Sequence, residues 1–300
     1  MEFRRNTGTE ESCCSYNMLK LTRHLFSWNP DPRYFDYFER TLLNDRIGTI
    51  RPEKGHTIYF QSLTPGAWKT FNSEDKSFWC CTGTGVEEYA KLNDSIYWHD
   101  SGGVFVNLFI PSELDWHEKA LKLRQETKVP DDQTTSLTIT ADKPVPAAIR
   151  LRIPSWTSEA RVKLNGRALE ATAEPGGYLT LDRAWKTGDR IDLEIPMHLS
   201  VEAMPDDPKL QAFLYGPLVL AGDLGAQGLN ESMISGLQSP AINRLPLEIP
   251  AFHASGADPA SIKPADKPHT FRTTGQQRDA TLAPLNKLFD HRYAVYWEVS

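Results

Sequence analysis

All four cysteines of this 300-residue chain lie in two adjacent pairs, Cys13-Cys14 in "ESCCSYN" and Cys80-Cys81 in "SFWCCTGTG". Neighbouring cysteines rarely pair with each other, because the ring that a vicinal disulfide closes is strained. Four cysteines in 300 residues is also far below the density of a disulfide-stapled scaffold. Zinc favours four ligands drawn from thiolate, imidazole and carboxylate, and Glu11, Cys13, Cys80 and Cys81 offer four such groups from two distant segments. Glu11 and Cys13 are two apart at the start of a helix, and Cys80 and Cys81 fall in a loop before a Thr/Gly-rich turn. The usual zinc spacing is CxxC rather than CC, so spacing alone leaves three readings open: buried thiols packed as small hydrophobes, a metal site, or a redox pair.

Other chemistry-bearing residues make weaker constellations. The eight histidines include no HExxH and no HxH; His24 falls on a helix, while His56 and His99 sit near turns without a partner at motif spacing. "CTGTGVEE" lacks the GxxxxGK[ST] of a phosphate loop. Glu87 and Glu88 suit the N-terminal end of a helix dipole. Trp156 and Trp185, on strand-like segments, can stack on sugars or simply pack.

Composition narrows the classes. The net charge of −6, from 33 basic and 39 acidic side chains, with no Lys/Arg block, argues against nucleic-acid binding. No run approaches the length of a membrane span. "MEFRRNTGTEE" has no apolar segment behind its arginines, so no signal peptide is visible and the cytoplasm is the default expectation, subject to any segment farther upstream.

The elements that must position the cysteines change character near residue 100. Before it, Met18, Leu21 and Leu25 mark one face of a first helix. Asp31 and Pro32 open a second, with Phe35, Phe38 and Leu42 on its stripe, and a third is expected from about Val86 to Leu92. Beyond residue 100 the period becomes two, in "VFVNLF", "ALKLRQET", "SLTIT", "AIRLRIP", "ARVKL", "YLTL" and "RIDLEIP", with Asn165-Gly166 as a hairpin turn. The expected organisation is a helical region over 1–100, an antiparallel β-sandwich over 101–222, and a loop-rich region over 223–300 that ends in a returning strand at "YAVYWEV". Three striped helices cannot cover one another, so the helical region must lean on something else.

Four strings, "ESCCSYNMLKLTRHLF", "RYFDYFERTLLN", "SFWCCTGTGVEEYAKLNDSIYWHD" and "VFVNLFIPSELDW", in this order and spacing, resemble the glycoside hydrolase family 127 and 146 group. That group contains β-L-arabinofuranosidases, retaining exo-enzymes acting on arabinose-containing glycans and glycoconjugates. The resemblance implies an α+β multidomain protein, in which residues 1–100 are the C-terminal remnant of an (α/α)6 barrel followed by an antiparallel β-sandwich. It implies a zinc ion held by Glu11, Cys13, Cys80 and Cys81, with Cys80 as nucleophile, Tyr59 as a sugar-contacting aromatic and Cys14 as a packing residue. The group's general acid/base Glu lies well upstream of its E-x-C motif. Only ten residues precede Glu11 here, and their carboxylates, Glu2 and Glu10, have no matching context. The expectation is therefore a C-terminal portion of such an enzyme, inactive or nearly so alone, with a separately encoded barrel half as a candidate partner. The alternative from a different class is a non-catalytic, zinc-stapled β-sandwich module that binds carbohydrate or a partner.

Overall fold

The computed structural model describes residues 8–170, 174–236, 259–276 and 278–299. The chain forms two compact units, one comprising Met1–Leu21, Arg40–Tyr89 and Leu199–Ser300, the other Thr22–Glu39 and Ala90–His198. Helix α1 (Ser12–Trp28) contributes to both, as does α2 (Pro32–Thr41), while α3 (Cys80–Ala90) belongs to the first unit up to Tyr89.

The second unit is built from period-two segments. β1 (Tyr97–His99), β2 (Gly103–Val106), β6 (Val145–Ile153) and β9 (Gly177–Trp185) make one sheet, in the order β1-β2-β6-β9. β3 (Ser112–Trp116), β4 (Leu121–Thr127), β5 (Thr134–Ala141), β7 (Arg161–Leu164), β8 (Arg167–Ala168) and β10 (Arg190–Glu194) make the other, in the order β3-β4-β5-β10-β7-β8. Both sheets feed one buried cluster: Val104, Val106, Ile149 and Leu151 from the first, and Leu121, Leu123, Leu137, Ile139, Ile191 and Leu193 from the second. Each such side chain contributes about 1.5–3 kcal/mol by leaving water, and the alternation puts charged partners such as Lys122 and Arg124 outside. Asn165 and Gly166 take positive φ, 52° and 77°, and join β7 to β8 as the two-residue turn their types demand.

One pairing departs from the antiparallel expectation. β2 runs parallel to β6, with Gly103 opposite Ala148. A Cβ on Gly103 would lie 2.2 Å from the Ala148 carbonyl oxygen, so this register needs glycine there. Period-two alternation reports which face is buried and carries no strand direction, which is why the sequence did not reveal it.

Helix α2 begins as read: Asp31 Oδ1 accepts a hydrogen bond from Arg33 N at 2.9 Å, Pro32 is the first helical residue, and Phe35 and Phe38 are buried. In the second unit its Asp36 and Glu39 reach the fully buried Arg152 of β6, at 2.5 and 2.7 Å. Trp156 Nε1 donates to Glu39 Oε2 at 2.7 Å and Trp185 Nε1 to Ala147 O at 2.8 Å; Trp185 is fully buried and serves packing, while Trp156 is half-buried against the same core.

In the first unit, β11 (Leu199–Met204), β12 (Asp207–Tyr215) and β13 (Leu218–Asp223) form one sheet with short strands from the C-terminal region, which pair with β12 and β13 and with one another. These are β14 (Lys263–Pro264), β15 (Phe271–Arg272), β16 (Thr281–Pro284), β17 (Tyr293–Ala294) and β18 (Tyr296–Glu298). The "YAVYWEV" segment does return to the sheet, β17 on β13 and β18 on β12. Within the Gly/Pro/Ser-rich stretch ahead of it, residues 237–258 lie outside the described residues. The architecture is thus mixed α/β, with mostly antiparallel sheets and few helices among the described residues. No described helix is long and apolar enough to cross a membrane.

Helix α1 corrects one expectation. Its buried residues are Ser12, Cys13, Tyr16, Leu19, Thr22 and Phe26, whereas Met18 and Leu21 are each 44% exposed. The helix is apolar on two sides, and periodicity alone cannot choose between them.

Candidate metal centre

Two segments of the first unit supply the cluster. At the first, Glu10 adopts φ 42° and turns the chain into α1. Glu11 forms an antiparallel bridge with Phe60, Ser12 N donates to Tyr59 O at 2.9 Å, and Gln61 N donates to Glu10 O at 3.1 Å. The first turn of α1 is therefore pinned to an extended segment before Cys13 is reached.

The second segment overturns the expected loop. Cys80 and Cys81 are the first residues of α3, which runs through "CCTGTGVEEYA" and begins six residues before the Val86 start read from the sequence. Two glycines argued for a turn, but Gly85 is there for contact: a Cβ on it would meet Thr57 Cγ2 at 2.9 Å. Thr82 Oγ1 donates to Ser77 O at 3.0 Å and accepts from Asn72 Nδ2 at 3.2 Å, which ties the helix entry to the preceding segment. Glu87 and Glu88 consequently lie toward the C-terminal end of α3, where the dipole disfavours acids. Each has a cation instead, Lys20 at 3.0 Å for Glu87 and Arg46 at 2.5 Å for Glu88.

The four predicted ligand groups converge. One potential ligand atom from each of Glu11, Cys13, Cys80 and Cys81 lies within 4.8 Å of all the others. The Sγ atoms of Cys13 and Cys81 are 3.2 Å apart, those of Cys80 and Cys81 3.9 Å, and Cys81 Sγ is 3.8 Å from Glu11 Oε1. Zinc–sulfur bonds of about 2.3 Å in a tetrahedron require sulfurs about 3.8 Å apart. Three thiols and one carboxylate at these separations fit a zinc ion with small adjustments between Cys13 and Cys81. Cys14 stays outside: exposed, its Sγ donates to Glu11 Oε2 at 3.7 Å.

The thiols are electrostatically unequal. Burial pushes the Cys81 thiol well above its usual range, with the neighbouring Cys13 adding to the shift. Cys13 is raised by burial, and Cys14 by the Glu11 charge. Cys80 alone is held low, first by its hydrogen bond with Cys13, then by those with Cys81 and Tyr59 and by the Cys81 backbone N–H. It is also exposed, whereas Cys13 and Cys81 are buried. Tyr59 sits beside it, its ring edge-on to Trp79 at 5.6 Å, and its phenol is pushed up to about 12 by the Glu11 charge and by Cys80.

Sequence reasoning missed the residues behind the cluster. Thr84 Oγ1 lies 3.4 Å from Cys13 Sγ. Arg46 reaches both ligand segments, to Ser12 and to Glu88. Glu88 is seven residues after Cys81 and shares its buried face with Gly85, a helical signal that becomes visible only once the helix starts at Cys80. The histidines stay apart: His56 Nδ1 lies 3.5 Å from Ser235 Oγ, and none enters the described cluster.

Residues 2–94 match the model of the GH127 β-L-arabinofuranosidase catalytic domain, 103–197 that of the GH127 middle domain, and 200–299 a domain of unknown function. A GH127 β-L-arabinofuranosidase from Geobacillus stearothermophilus T6 superposes with a TM-score of 0.77 at 18% identity, covering 98% of this chain and 51% of that one. A GH127 β-arabinofuranosidase does so with a TM-score of 0.77 at 22% identity, over 98% and 50%. A further glycoside hydrolase gives 0.77 at 17% identity, over 98% and 53%. No curated protein sequence matches. At these identities the superpositions speak for the fold, and the chain spans about half the length of the structures it matches. With the GH127 catalytic-domain and middle-domain models falling consecutively on residues 2–94 and 103–197, the chain belongs to the GH127-like glycoside hydrolases, of which it represents a part.

Proposed function

We propose that the chain carries the thiolate side of a retaining, exo-acting β-L-arabinofuranosidase-type site, with zinc held by Glu11, Cys13, Cys80 and Cys81 and with Cys80 as nucleophile. The observation that supports it most is the meeting of three thiols and a carboxylate within 4.8 Å. Thiols that merely packed would require neither the carboxylate nor an exposed, easily ionised Cys80. Bound zinc would keep the ligating thiols ionised near neutral pH.

The chemistry follows from a thiolate standing where a carboxylate serves in most retaining glycosidases. The Cys80 sulfur bonds to the anomeric carbon of a terminal arabinofuranosyl group while the bond to the leaving oxygen breaks and that oxygen takes up a proton. Water then attacks the same carbon and gives up a proton, and the sulfur departs as thiolate. Two inversions leave the configuration retained. To Tyr59, beside Cys80, we assign the contact with the sugar. Glu11 is the only carboxylate of the described cluster, and in this reading it serves as a ligand. We therefore assign the general acid to the remainder of an (α/α)6 barrel of which residues 1–100 are the C-terminal part, on the same polypeptide or a separate one. Without that acid the rate falls by roughly 10²- to 10⁴-fold. The substrates are arabinose-containing glycans or glycoconjugates.

An aryl β-L-arabinofuranoside with a strongly activated leaving group needs no acid and isolates the nucleophile. Zinc analysis and intact-mass spectrometry of the chain after incubation with it should show one zinc per chain and an arabinosyl adduct on Cys80, absent from Cys80→Ser. A chain without zinc, or an adduct that survives Cys80→Ser, refutes the assignment. Zinc with glycan binding but no adduct identifies the non-catalytic module instead.

A further inference from the structure

We infer that Arg46 is a positioning residue for this metal centre, a clamp that sets the spacing between the two helix starts carrying the ligands. The inference rests on the zinc reading above. Arg46 is 1% exposed and closes a π-helical turn, Leu42–Arg46, a rare local form often found at functional sites. Its Nη1 donates to both the carbonyl oxygen and the hydroxyl of Ser12, each at 2.8 Å. Ser12 is the residue between Glu11 and Cys13 and is itself 1% exposed. On the other edge of the same guanidinium, Nε donates to Glu88 Oε2 at 2.7 Å and Nη2 lies 2.5 Å from that oxygen. Glu88 lies on the buried face of α3, two turns beyond Cys81.

One planar group thus touches the backbone between the first two ligands and the helix that carries the other two. A guanidinium holds its donors in a fixed fork, so it transmits a distance as well as a charge. Asp45, 3.5 Å from Nη1, adds a second buried carboxylate, so the cation is compensated on two sides. Among the described residues, Arg46 bonds to Ser12, Glu88 and Asp45, none of them a ligand, so it acts on the metal only through the elements it spaces. Partners of this kind, standing behind the ligands, commonly change metal affinity by 10- to 100-fold.

The test compares Arg46→Lys, Arg46→Met and Glu88→Gln with the wild-type chain, using zinc affinity from chelator competition and the thiolate-to-cobalt absorption of the Co(II)-substituted protein. Far-UV circular dichroism identifies the variants that fold. Arg46→Lys keeps the charge but not the fork, and should bind zinc about 10- to 100-fold more weakly with a shifted cobalt spectrum. Glu88→Gln, which keeps an acceptor in place, should shift both in the same direction by less, and it carries the test if the Arg46 variants do not fold. Folded variants with wild-type zinc affinity and an unchanged cobalt spectrum overturn the clamp while leaving the zinc reading intact. A wild-type chain that takes up neither metal overturns the zinc reading and the clamp together.

Discussion

Removing the metal should destabilise the first unit by an amount that chain statistics can set. Cys13 and Cys81 are 68 positions apart, so an ion bridging them closes a loop of that length in any state that keeps it bound. Closing a loop of that size takes about 4 kcal/mol of conformational entropy out of the unfolded chain, and metal clips act in the same sense as disulfides. For a folding unit of this size, with thermal midpoints moving about 2–4 °C per kcal/mol, the midpoint should fall by roughly 8–16 °C on chelation. Calorimetry of the zinc-loaded chain with and without excess chelator measures it directly. Cys81→Ser should begin low and hardly respond to chelator. Cys14→Ser, whose thiol lies outside the cluster, should respond as the wild type does. A wild-type midpoint that does not move with chelator, or a Cys81→Ser protein that loses as much as the wild type, refutes the four-ligand centre.

Four other outcomes follow from particular contacts. Alkylation of metal-stripped protein with iodoacetamide near neutral pH should modify Cys80 first, because it is exposed and its ionisation is favoured, while Cys13 and Cys81 are buried and Cys14 is opposed by Glu11; peptide mapping that finds Cys13 or Cys81 labelled ahead of it contradicts the assignment. Gly103→Ala drives a methyl to 2.2 Å from the Ala148 carbonyl oxygen and should cost about 2–3 kcal/mol, read as a lower urea midpoint. Arg152→Met strands the buried Glu39 carboxylate and the half-buried Asp36 and should cost about 3–5 kcal/mol in the same assay. The Glu231 carboxyl is held at about 2 instead of 4.5, first by its hydrogen bond from Arg51 and then by that from Lys54. Its folded value is depressed, so the stabilisation is complete above about pH 4.5 and is lost as the pH falls toward 2. Glu231→Gln should flatten that stretch of the stability–pH curve, modestly, because the side chain is 56% exposed.

The elements that the sequence announced are those whose signals are local. Asp31 and Pro32 start a helix through a cap and a preset φ, Asn165-Gly166 make a turn through tolerance of positive φ, and alternation marks the half-buried strands. Where two local signals competed, the reading failed. Gly83 and Gly85 promised a turn after the second cysteine pair, yet α3 runs through both; at Gly85 the close approach of Thr57 uses the missing side chain, while Gly83 faces open space. Met18 and Leu21 promised the buried face of α1, and the opposite stripe through Tyr16 and Leu19 took that place.

The candidate site divides in the same manner. Residue types and order were enough to name Glu11, Cys13, Cys80 and Cys81, since thiolates and a carboxylate are what zinc binds. That they meet depends on a bridge between Glu11 and Phe60 and on a helix that starts at Cys80, neither of which has a sequence signature. The inequality of the thiols is likewise a tertiary fact: exposure and three hydrogen-bonding neighbours favour ionisation at Cys80, and burial opposes it at Cys81. Arg46, in "NDRIGT", belongs to no motif at all, and its place between Ser12 and Glu88 exists only once α1, the π-turn and α3 are packed. Sequence determined which chemical groups are present and which short segments are helix or strand, because those follow from side-chain identity and nearest-neighbour backbone preferences. Tertiary structure decided which groups touch, which are ionised and which face is buried, because these depend on the distance and dielectric between residues far apart along the chain.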